Sequence, residues 1–83
     1  MSWERLVQSG KMAVGSKQTL RAIESGLAKM VFLAEDADQR LKHQVTVACQ
    51  ARGLEPVLVP TMIALGRACG IQVGSASAAI IEK

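Results

Sequence analysis

The chain has 83 residues, of which 49% are hydrophobic and 20% charged, with a net charge of +3. That is globular rather than disordered composition, and the length holds one domain over residues 1–83, since domains of about 100 residues are typical. A chain this short buries only roughly 60–65% of its unfolded surface, which leaves space for one core and little for a buried active site with its own supporting shells.

Helical spacing comes first. Trp3, Leu6, Val7 and Gly10 stand at i, i+3, i+4 and i+7, and the short apolar run Met12–Val14 follows. Leu20, Ile23 and Leu27 mark a second helix, opened by Ser16, and the run Met30–Ala34 follows it. Leu41, Val45, Ala48 and Cys49 mark a third, with Asp36 and Gln39 spaced as a capping box, followed by Pro56–Val59. Met62, Leu65 and Cys69 mark a fourth, capped by Thr61, followed by Ala76–Ile81. Gly10, Gly26, Gly53 and Gly70 end the four helical stretches, where a left-handed residue is expected. Short apolar runs flanked by turn residues suit strands buried on both faces. The order helix, strand, four times over predicts an α/β fold, a single-domain three-layer α/β/α sandwich with a four-stranded mixed sheet.

Charge is uneven along the chain. Arg5, Lys11, Lys17, Arg21 and Lys29 outweigh Glu4 and Glu24 in the first 29 residues, so the positive excess lies at the N-terminal end. Such asymmetry suits an anionic partner or a solubilising surface equally. Trp3 and Phe32 are the only aromatics, too few for a base-stacking platform. If this chain binds RNA, it reads folded RNA by backbone, groove edge and shape. Cys49 and Cys69 form no C-x-x-C pair, and the start Met-Ser-Trp-Glu-Arg has no apolar run. Both cysteines are expected to be reduced and buried in a cytoplasmic protein. No run approaches the roughly 18 apolar residues of a membrane span. His43, the one histidine, has no partner at ligand or triad spacing, so neither catalysis, metal nor cofactor is expected.

Three segments carry candidate chemistry. Gly15-Ser16-Lys17-Gln18-Thr19-Leu20-Arg21 lies at a strand end and opens a helix. Unpaired N–H groups and partial positive charge make such a helix start attractive to anions. Lys17 and Arg21, four apart, share a face beside the core stripe, and Lys17 and Gln18 are types that read purine edges. An ordinary solvated helix start is the plainer reading. Glu35-Asp36-Ala37-Asp38 caps a helix more readily than it holds a divalent ion, and Asp38 can accept a hydrogen bond from a base or sugar hydroxyl at the edge of a site. Gly70-Ile71-Gln72-Val73-Gly74 is either a loop carrying apolar residues outward or the start of the last strand.

In this order and spacing, Gly15–Ala22, Ala34–Asp38 and Leu65–Val73 resemble the kink-turn-binding ribosomal protein superfamily named for archaeal L7Ae. The resemblance runs from about Lys11 to Ile81 and is strongest to the small bacterial YbxF-like branch. It implies recognition of a kink-turn, a sharp bend in duplex RNA with tandem sheared G·A pairs beside a short bulge. It also implies that Gly15, Ser16, Lys17, Gln18 and Arg21 meet the guanines of those pairs, that Ile71, Gln72 and Val73 cover the extruded nucleotide, and that Asp38 lies at the rim. Archaeal and eukaryotic members carry Asn-Glu where this chain has Lys17-Gln18, and Gln39 replaces a proline common after the acidic run. The expected partner is structured RNA, ribosomal RNA included, bound by a monomer. The alternative is a ribosomal or assembly module that uses the same fold for protein contacts.

Overall fold

The computed structural model describes residues 3–82. Four helices, α1 (Trp3–Val7), α2 (Ser16–Glu24), α3 (Gln39–Ala51) and α4 (Met62–Ala68), alternate with four strands, β1 (Lys11–Val14), β2 (Met30–Ala34), β3 (Val57–Val59) and β4 (Ser77–Glu82). The strands form one sheet in the order β1-β4-β2-β3. The last strand of the chain therefore lies inside the sheet, antiparallel to both β1 and β2, while β2 and β3 run parallel across the α3 crossover.

The side-chain alternation of β2 explains the three layers. Phe32 and Ala34 point to one face and join Val7 of α1, Leu65 of α4, Ala78 and Ile80. Val31 and Leu33 point to the other and join Ala22 and Ile23 of α2, Val45 and Cys49 of α3, and Ala79. Residues that alternate faces yet are apolar on both give a continuous apolar run instead of an alternating one. The sheet is thus covered by α1 and α4 on one side and by α2 and α3 on the other, the α/β/α sandwich expected from the element order.

Some expectations change. The apolar stripe of α2 stops at Ile23, because the helix ends at Glu24, and Leu27 is exposed. Strands are not all buried on both faces: β1 and β3 are the sheet edges, and Leu58 of β3 is exposed. Cys49 is buried, but Cys69 only half so. Gly10 does not have a left-handed backbone. It is small because a Cβ there would collide with the Glu82 carbonyl. Pairing also shifts register between Lys11 and Met12 of β1, and β3 is only three residues long, flanked by Pro56 and Pro60. Among the described residues no helix is long and apolar enough to cross a membrane.

Candidate nucleic-acid interface

The C-terminal ends of β1 and β2 and the N-terminal end of β4 meet at one end of the sheet, and hydrogen bonds link what leaves them. Gly15 N donates to the Ser77 carbonyl at 3.0 Å, and Ser75 Oγ donates to the same oxygen at 2.7 Å. Ala34 N donates to Ala76 O at 2.9 Å and Glu35 N to Val59 O at 2.8 Å. The helix start of α2, the β2–α3 loop, the β3–α4 turn and the segment before β4 are therefore parts of one connected edge.

At the α2 start the residue expected to cap is not the one that does. Gly15, at φ 96° and ψ 156°, occupies the N-cap, and Ser16 is the first helical residue. No side chain caps this start. That backbone conformation is open to glycine and strained for other residues, and it brings no Cβ between the helix N–H groups and solvent. Thr19, fully buried, turns its hydroxyl back to the Gly15 carbonyl at 2.7 Å and fixes the first turn from beneath. Lys17, Gln18 and Arg21 are exposed, and none takes part in a side-chain hydrogen bond among the described residues. Ser16 is half-buried. Two cations and an amide thus stand unengaged around a helix start whose own donors are unpaired. Behind them a shallow groove of about 540 Å3 runs along α2, lined by Gln18, Arg21, Glu24, Leu27, Ala13 and Ile81 among others. Neither this groove nor Leu27 as an exposed residue was visible in the helical pattern.

The β2–α3 loop departs from the capping-box reading. Asp38, not Asp36, is the N-cap of α3, and its side chain makes no cap hydrogen bond. Its carbonyl accepts from Lys42 N at 2.9 Å, the first turn of that helix. Asp36 instead reaches across to α4, where its Oδ1 accepts from Met62 N at 2.8 Å. Lys42 Nζ donates to the Glu35 carbonyl at 2.9 Å, so this loop is held from both helical layers. Asp38 is exposed. Among the described residues no group of three His, Cys, Asp or Glu is placed to hold a metal ion.

The segment 71–75 is a loop and not an early part of β4, which begins at Ser77. Val73 is 70% exposed, Gln72 is exposed and Ile71 half-buried. Ile71 N donates to the Gly66 carbonyl at 3.0 Å and Ser75 N to the Met62 carbonyl at 2.9 Å, so the loop returns along α4 from its C-terminal half to its first turn. Gly66 makes this possible: a Cβ there would collide with the Val73 carbonyl. A glycine inside a helical pattern signals close backbone approach, but the sequence reading assigned Gly66 no role. Burial raises both thiols, Cys49 and Cys69, above their ordinary range, so they remain protonated at neutral pH. His43 is exposed on α3.

An RNA-binding protein of Geobacillus kaustophilus (strain HTA426) is 44% identical over 82 residues, covering 99% of this chain and 100% of its own length. The RNA-binding protein YbxF of Geobacillus stearothermophilus is 44% identical over 82 residues with the same coverage. Among solved structures, the Giardia lamblia 15.5kD RNA binding protein matches with a TM-score of 0.83 at 27% identity, over 96% of this chain and 68% of that one. A Bacillus halodurans protein of unknown function shares the fold at a TM-score of 0.86 and 21% identity, over 98% of this chain and 85% of that one. Residues 2–83 match the model of the ribosomal protein L7Ae/L30e/S12e/Gadd45 family, and the chain belongs to that family, alongside its bacterial YbxF-like members.

Proposed function

We propose that this protein recognises kink-turns in structured RNA and holds them in the bent state. Family membership and relatives named as RNA-binding proteins support the coarser statement, that it is an RNA-binding protein and not an enzyme. The observation that carries the finer one is the α2 start. It is capped by glycine without a side chain, and Lys17, Gln18 and Arg21 stand exposed around it with no side-chain hydrogen bond among the described residues. In this reading Gly15 and Ser16 offer backbone groups, and Lys17, Gln18 and Arg21 meet the guanine edges of the sheared pairs. Val73 and Ile71, with Gln72 between them, cover the extruded nucleotide, and Asp38 borders the site. The work done is selection: a protein that binds only the kinked conformer raises its population.

The test is a titration against a short kink-turn duplex and against a control whose sheared G·A pairs are replaced by Watson–Crick pairs. Tight binding to the first alone is expected. Equal weak binding to both would reduce the interaction to charge attraction and favour the protein-contact module. Salt gives a second axis, since each phosphate contact contributes a slope of about −0.7 to −0.9 in log K against log salt. An apolar protein interface responds far less.

A further inference from the structure

We infer that Asp36 is a positioning residue for RNA recognition, a clasp that sets the apolar loop 71–75 against the α2 start without touching the RNA. The inference rests on the reading above and names how its two halves are kept in register. Asp36 Oδ1 accepts from Met62 N across 26 residues of sequence. Met62 is the first residue of α4, whose N-cap Thr61 already supplies the usual bond, its Oγ1 accepting from Ala64 N at 3.0 Å. The first N–H of a helix has no partner within the helix. A second acceptor, brought in from another loop, is more than this helix start needs. What it adds is a fixed relation between the β2–α3 loop and α4.

Met62 is the node that passes this relation on. Its carbonyl accepts from Ser75 N, and a Cβ at Gly74 would stand only 3.2 Å from the Met62 Cβ, so the end of the loop is seated directly on this residue. Ser75 Oγ then donates to the Ser77 carbonyl, which also accepts from Gly15 N. A continuous path of hydrogen bonds leads from the Asp36 carboxylate through Met62, Ser75 and Ser77 to the N-cap of α2. Its first link is charge-assisted and therefore the strongest of its kind on the path. On the far side, Lys42 ties the same loop to α3, so the clasp joins helical layers on opposite faces of the sheet. A site read by shape tolerates little misplacement of its parts, and preorganisation of this kind sets affinity without adding a contact.

The experiment compares the full chain with Asp36→Ala and Asp36→Asn by two readouts. In the free protein, amide hydrogen exchange is followed by NMR at Met62 and Ser75, with Phe32 and Ala79 in the sheet as references. Asp36→Ala should speed exchange at the Met62 and Ser75 amides by about tenfold while the reference amides hold, the mark of a local opening. In the kink-turn titration it should lower affinity by about tenfold with the salt slope unchanged, because no phosphate contact is lost. Asp36→Asn keeps an oxygen acceptor without the charge and should recover most of both readouts relative to Asp36→Ala, which separates the clasp from simple loss of a negative charge near RNA. Unchanged exchange at Ser75 in Asp36→Ala overturns the inference, and so does loosened exchange with wild-type affinity. If the wild-type chain fails to distinguish the two duplexes, the kink-turn reading falls and with it the role in recognition, while the exchange arm still decides whether the clasp exists.

Discussion

Of the three helices that begin at one end of the sheet, α2 and α4 are finished in opposite ways. The start of α4 is closed: Thr61 Oγ1 takes the Ala64 N–H and Asp36 Oδ1 takes the Met62 N–H. The start of α2 is open: glycine sits at its cap, no side chain of the described residues bonds its first turn from outside, and Lys17, Gln18 and Arg21 surround it. The difference lies in the cap backbone: Thr61 is extended and can turn its hydroxyl to the helix, whereas Gly15 has a positive φ that strains any other residue. A closed start spends its donors on the fold, and an open one keeps them for something else. The contrast separates substitutions that should act on stability from those that should act on binding.

The largest expected effect lies behind the closed start. Gly66→Ala sets a methyl against the Val73 carbonyl and should lower stability by roughly 1–3 kcal/mol, outweighing the helical preference of alanine. A denaturant midpoint equal to wild type would show that the loop yields freely. At the open start, Lys17→Ala should weaken kink-turn binding by about 1–3 kcal/mol with the thermal melt unchanged. Val73→Asp should act in the same manner, because its side chain is mostly exposed. A large fall in melting temperature for either variant would transfer that residue to the fold. Thr61→Ala removes a true cap and should reduce stability by about 1 kcal/mol, read from urea unfolding. The open start has no side-chain cap to remove.

The smallest effect is a pH response. Burial holds the Cys49 and Cys69 thiols above their ordinary value of 9.0. Their stabilising effect is full below that value, where both states are protonated, and is lost as pH rises toward the folded values, because the unfolded chain ionises first. Unfolding midpoints should therefore fall above pH 9, and by less in Cys49→Ala once its own loss of stability is subtracted. A midpoint that is flat from pH 8 to 10 would remove the thiols from this account.

Much of this was legible in the residues. The apolar runs and the glycines that punctuate them give four helices and four strands in the right order, because each signal is local. Strand order was not legible: β4 pairs with β1 across more than sixty residues, and nothing in Ser77–Glu82 names its neighbours. Thr61 was read correctly as a cap because cap and recipient lie three residues apart. Asp36 was misread for the converse reason. Its spacing to Gln39 imitates a capping box, while its actual recipient is 26 residues away. The exposed character of Val73 could not be separated from a strand start by pattern alone. What decides it is Gly66, whose missing side chain lets the loop lie along α4.

The edges of the sheet carry a different consequence. A strand with free N–H and C=O groups along one side is a template on which another chain can grow. Here β1 opens with a lysine and an irregular register, and β3 is three residues long between two prolines. Both are devices that discourage addition of a fifth strand. Edges finished in this way protect a small protein from templated aggregation, and they leave the tips of the strands, where the α2 start and the loop 71–75 stand, as the open surface.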